Sequence, residues 1–235
     1  EMTSSLVGSE MCIRDRRIFL QTAKRSHNYE QYALILETGL RTGELIGLTW
    51  DAVDFEKRTL TVNKTLEYRH KQLSWRAGPP KTPHSYRTIP LTDRAYEILK
   101  GIWDKRENRK ESSLLSQTLE YIDRRTGTTA QLVMRDLVFI NWRTGAPAKN
   151  SSYDTHLYKL CDDAGTRRFC MHALRHTYAM RAIERGVQLK ILQQLLGHAS
   201  IQTMMDRYVH VTDDSLVNAV RQFENAAPVS CEKRA

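Results

Sequence analysis

Cysteine is scarce in this 235-residue chain: Cys12, Cys161, Cys170 and Cys231 stand far apart, with no CxxC pair among them. That spacing shows no paired disulfide framework, argues against a structural zinc site, and fits free thiols in a reducing cytoplasm. Long apolar runs are missing as well. With no stretch of about 18 apolar residues, no membrane-spanning helix is expected. The opening segment, residues 1–16, lacks the basic start and apolar stretch of a secretory signal. No internal repeat is visible. Acid is in the minority: 36 Lys and Arg face 27 Asp and Glu, giving a net charge of +9 and a pI near 9.5. The excess points to a polyanionic partner, most often nucleic acid. At 40% hydrophobic, the chain can bury one real core, or two small ones.

What is present reads as mainly α with a small antiparallel β-sheet. Residues 1–16 have no period and read as a leader or linker. Tyr32 to Leu36 end a first helix, Thr38–Gly39 break it, and Glu44 to Leu48 begin another. TLTVNKTLEY (59–68) alternates Leu60, Val62, Lys64 and Leu66 against polar residues, which is strand period. KQLSW and SYRTIPL add two short strands around the Gly- and Pro-rich loop RAGPPKTPH. LTDRAYEILKGIW predicts a helix capped by Thr92, with Ala95, Ile98, Leu99 and Ile102 on one face. Residues 104–131 are so polar that a surface excursion, partly helical, is expected. LVFI (137–140) is a short apolar run of either type. Helices are expected over 152–163, 171–185, 187–196 and 200–209, and DDSLVNAVRQFENAA then lines up Leu216, Val217, Val220 and Phe223.

The stretch HALRH (172–176) carries the chemistry. Ala173, Leu174, Tyr178, Ala179 and Ile183 bring its helix into a core, where an arginine is costly unless something negative meets it. His172 and His176 have the spacing of a metalloprotease helix, but that motif needs glutamate where Ala173 stands, and no third ligand is spaced to join them. A second reading gives Arg175 an acidic partner and leaves the histidines to core hydrogen bonds. The third is phosphate. It also uses Arg41 in TGLRTGEL, His198 after Gly197, and Tyr208 in MMDRYVH. Guanidiniums can clamp a phosphodiester, histidines can move protons near neutral pH, and a tyrosine can attack.

Five motifs in order, TGLRTGELIGLTW, PPKTPHSYRTIPL, HALRHTYA, LLGHAS and DRYVHV, resemble the catalytic domain of the tyrosine recombinases, the phage and transposon integrases, and among them those of conjugative transposons. The resemblance covers about residues 30–212. It implies a catalytic domain over 17–212 and a tail helix with a frayed end over 213–235, with longer relatives carrying DNA-clamping domains ahead; this chain then reads as part of a longer recombinase. It also implies the site: Arg41 and Arg175 on the phosphate, Glu44 as buttress, Lys81 as general acid, His172 and His198 as site histidines, and Tyr208 as nucleophile. Lys71 and Lys64 remain alternatives to Lys81. Tyr178 is the nearest rival to Tyr208, but its helix suggests packing, and Tyr32, Tyr86 and Tyr96 fit a core or a sheet. His176 reads as structural.

By the same resemblance, the reaction is cleavage and rejoining of double-stranded DNA through a 3′-phosphotyrosine, with no cofactor and no metal. The implied assembly is a homo-tetramer on DNA that exchanges tails, from a chain monomeric when isolated and without membrane attachment. Two other functions stay open. A type IB topoisomerase shares the chemistry but would relax DNA without exchanging strands. A helix-turn-helix regulator would use LKILQQLLGHASIQTMMDRYV alone and have no need of Arg41, Lys81 or Tyr208.

Overall fold

The computed structural model describes residues 13–79 and 85–198, with side chains from residue 17 onward. Lys81, Tyr208, the expected 200–209 helix and the 213–235 tail lie outside the described residues. The chain opens with α1 (Ile13–Ala23), α2 (Tyr29–Thr38) and α3 (Thr42–Ile46). Five strands follow: β1 (Val53–Asp54), β2 (Thr59–Val62), β3 (Thr65–Arg69), β4 (Ser74–Gly78) and β5 (Arg87–Pro90). Next come α4 (Asp93–Glu107), β6 (Thr118–Asp123) and β7 (Thr129–Val133), then α5 (Asn150–Asp163), α6 (Met171–Glu184) and α7 (Leu189–Leu196). Among the described residues no helix is long and apolar enough to cross a membrane.

The mainly helical class holds, but the single small sheet does not. There are two sheets, of order β1-β2-β5 and β3-β4-β6-β7. Residues 59–68 divide between them at Asn63–Lys64: Leu60 and Val62 are buried in the first sheet, Leu66 in the second. The second sheet is not purely antiparallel either, because β6 runs parallel to β4, with Trp75 opposite Tyr121. Residues 104–131 are correspondingly richer in structure than their polarity suggested. After α4 ends, β6 and β7 form a hairpin whose Leu119, Tyr121 and Leu132 pack against the core. Its turn is local chemistry: Asp123 Oδ1 accepts the N–H groups of Arg125 (2.7 Å) and Thr126 (3.1 Å).

Other sequence expectations hold or shift slightly. Thr92 Oγ1 accepts the N–H of Ala95 at 3.2 Å and caps α4, whose Ala95 and Leu99 are fully buried. LVFI takes no regular form; Leu137 makes a bridge with Thr49, and the Val138 N–H bonds to Leu48 O at 2.9 Å. Tyr32 is a core residue, whereas Tyr86 is 49% exposed beside β5 and belongs to no core. The helix expected from Glu44 to Leu48 begins earlier, at Thr42, and stops at Ile46. It is a single turn, started by Glu44 accepting the Arg41 N–H at 2.9 Å.

α2 is the hub. It is apolar nearly all round, as a helix enclosed by others must be, with Tyr32 and Leu34 to Leu36 buried. It ends at Gly39, whose left-handed φ of +67° lets its N–H return to Ile35 O at 2.8 Å. A Cβ there would lie 2.6 Å from the Tyr178 ring and 2.9 Å from Leu196, so glycine is what allows α6 and α7 to close on the end of α2. Gly39→Ala should therefore cost about 2 kcal/mol, from the positive φ and the overpacking together. A thermal melt no lower than that of the parent would contradict this packing.

Candidate active site

Four side chains from three elements, α3, β5 and α6, meet where α2 ends. Glu44, on α3, is 2% exposed. Arg87, from β5, grips both of its oxygens, Nη1 on Oε1 at 3.1 Å and Nη2 on Oε2 at 2.8 Å. Arg41, at the start of α3, donates Nη1 to Oε1 at 2.8 Å. Arg175, from α6, brings Nη1 within 3.9 Å of Oε2. Burial alone would push the Glu44 carboxyl up. The hydrogen bonds and charge of Arg87, followed by the charges of Arg175 and Arg41, overcome that and hold it down at about 2. One carboxylate cannot balance three guanidiniums, so excess positive charge remains.

The same three arginines share a second partner. Helix α7 ends with carbonyls that have no helical donor, at the negative end of its dipole. Arg87 Nε donates to Leu195 O at 2.7 Å, Arg175 Nη2 to Leu196 O at 2.6 Å, and Arg41 Nη2 to Gly197 O at 3.2 Å. Three consecutive carbonyls thus each take a different guanidinium. Arg175 also donates Nη1 to Gly39 O at 2.6 Å. Gly197, at φ +63°, caps α7 and turns the chain into His198.

Among the described residues, the predicted site is therefore partly assembled. Arg41, Glu44 and Arg175 are together, and His198 follows directly on the Gly197 carbonyl that Arg41 binds. His172 stands exposed in the first turn of α6, one turn before Arg175, with its ring edge-on to His176 at 4.5 Å. His176 is half-buried. Arg41 is the outermost arginine, its side chain 36% exposed against 1% for Arg175. Tyr178 is half-buried against Gly39, and burial pushes its hydroxyl up, away from the reactive phenolate. Lys81 and Tyr208 fall outside the described residues.

Sequence reasoning missed Arg87. Its signal was strand period: Arg87, Ile89 and Leu91 share one face, so an arginine occupies an inward position.

Residues 16–215 match the phage integrase family. The chain belongs to that family. Among its relatives, a tyrosine recombinase XerC-like protein of Caldanaerobacter subterraneus subsp. tengcongensis is 31% identical over 214 residues, covering 88% of this chain and 51% of the relative. The transposase of transposon Tn916 from Enterococcus faecalis is 27% identical over 204 residues, covering 84% and 46% respectively. This phage integrase family member thus spans about half the length of the curated relatives it matches. Among solved structures, the Tn1549 transposon integrase in complex with circular intermediate DNA shares the fold, with a TM-score of 0.73 at 24% identity, over 91% of this chain and 66% of that one.

Proposed function

We propose that this chain is the catalytic domain of a tyrosine-type site-specific DNA recombinase that integrates or excises a mobile element. The carrying observation is the convergence of Arg41, Arg87 and Arg175 on one buried carboxylate, in a member of the phage integrase family. The domain is assigned to residues 17–212 and the tail to 213–235.

The proposed reaction is two transesterifications. The Tyr208 hydroxyl gives up its proton with help from His172, and its oxygen attacks the DNA phosphorus. The bond from phosphorus to O5′ breaks as Lys81 protonates the leaving oxygen. A 5′ hydroxyl from a partner strand then attacks the 3′-phosphotyrosine and expels the tyrosine. Arg41, Arg175 and His198 stabilise the phosphorane oxygens, the task elsewhere given to preorganised donors. Because the phosphodiester energy stays in the intermediate, no nucleotide cofactor enters the scheme. The net charge of +9 supplies phosphate contacts whose affinity falls with salt. The working assembly is a tetramer on duplex DNA, linked by exchanged tails.

The test uses a randomised pool of nicked duplexes that lose a short 5′ fragment on cleavage and cannot be resealed. A detergent-resistant protein–DNA adduct should form equally well with and without excess chelator. A regulator would bind and form no adduct. A strict requirement for a divalent metal would sink the scheme and return His172 and His176 to consideration as ligands.

A further inference from the structure

Of the three arginines on the α7 carbonyls, two have another appointment. In the reaction above, Arg41 and Arg175 turn donors toward a phosphate. Arg87 has no such role: its side chain is 5% exposed, and its guanidinium is committed to both Glu44 oxygens, Ser85 O at 3.1 Å and Leu195 O. We propose that Arg87 is a positioning residue that holds the end of α7, and through it Gly197–His198, in register with the Arg41–Glu44 turn while the other two arginines engage DNA. The proposal rests on the recombinase reading.

The construction suits that task. Arg87 stands on β5, which is fixed by pairing along its whole length with β2, Leu60 opposite Ile89 and Val62 opposite Arg87. Helix α7 is short and rests on a small apolar cluster of Ala179, Ala182, Leu192 and Leu196. Its C-terminal end is held by the buried Leu196 and by polar anchors. The His198 N–H bonds to Gln193 O at 3.1 Å, and Gln193 Nε2 to His198 O at 3.0 Å, so His198 moves with that end. The planar fork of arginine meets a carboxylate edge-on while its Nε–H points elsewhere, a geometry lysine cannot reproduce. Arg87 also sets the state of Glu44. With Arg87 gone, the charged groups that face Glu44 among the described residues are Arg41 from its own turn and Arg175 from α6, and its protonation would weaken the hold on Arg41.

Arg87→Lys and Arg87→Met are compared with the parent chain for single-turnover adduct formation across pH, affinity for duplex DNA, thermal unfolding, and amide exchange at Gly197 and His198. Both variants should bind DNA like the parent, because Arg87 does not reach the surface. Adduct formation near neutral pH should fall by about tenfold to a hundredfold, the usual result of a small misplacement of reacting groups. Arg87→Met should add an acid limb to the rate profile that Arg87→Lys partly removes. Amide exchange at Gly197 and His198 should rise selectively in both. A variant with the parent's rate overturns the proposal, as does a loss of DNA affinity in step with rate, which would make Arg87 a phosphate ligand. If Arg87→Met fails to fold, Arg87→Lys carries the comparison. A parent that forms no adduct contradicts the recombinase reading instead. The exchange measurement then still decides Arg87: selective deprotection supports positioning, and uniform deprotection shows a general structural role.

Discussion

Glu44→Gln should lower stability by about 3–5 kcal/mol, the toll of leaving buried charges without their counter-ion. The amide keeps the shape of the carboxylate and loses the charge that Arg87 and Arg175 surround. In a chain of this size the loss should bring the melting temperature down by about 10 °C or more. The pH dependence has a definite sign. The Glu44 carboxyl lies at about 2 in the fold against an ordinary 4.5, so its contribution, about 3 kcal/mol, is fully present above pH 4.5 and disappears as pH falls toward 2. Parent and variant should therefore differ most near neutral pH and converge in acid. A gap unchanged between pH 6 and pH 3 would show that Glu44 does not stabilise through its charge.

Arg41→Ala should leave a folded protein and remove most of its chemistry. Arg41 is the outermost of the three arginines, and Glu44 retains Arg87 and Arg175 when it is gone, so the stability loss should be well below that of Glu44→Gln. The rate of adduct formation should fall by about a hundredfold to a thousandfold, the size seen when one preorganised donor to a developing oxyanion is deleted. Arg41→Lys should recover little, since a point charge cannot reproduce a planar fork. Affinity for duplex DNA should change far less than rate, as one contact among many. A variant with a near-normal rate would remove Arg41 from the chemistry.

Much of this site was legible because its residues declare themselves locally. An arginine between apolar neighbours, as at Arg41 and Arg175, calls for an anionic partner, while Glu44 was named through the family resemblance. The helix over 171–184 followed from its apolar spacing almost to the residue. Arg87 was legible in principle from the inward face it shares with Ile89, but its meaning depends on Glu44, which strand pairing alone brings near. The arginines on Leu195, Leu196 and Gly197 had no side-chain signal at all, because their acceptors are backbone carbonyls. The second sheet was hidden for a related reason. In β6 and β7 the outward residues and the charged turn dominate the composition, and the parallel pairing of β6 with β4 is a long-range choice. Loop closure between distant segments leaves no mark on either segment alone.

The proposed chemistry turns on which oxygen joins the DNA. The adduct from the nicked-duplex pool should be digested with protease and nuclease and its nucleotide-bearing peptide sequenced by mass spectrometry, beside the same reaction with Tyr208→Phe. A nucleotide should be found on Tyr208 alone, with no adduct from a Tyr208→Phe protein that still folds and binds DNA. A nucleotide on Tyr178 or any other residue, or an adduct that persists in Tyr208→Phe, would contradict it.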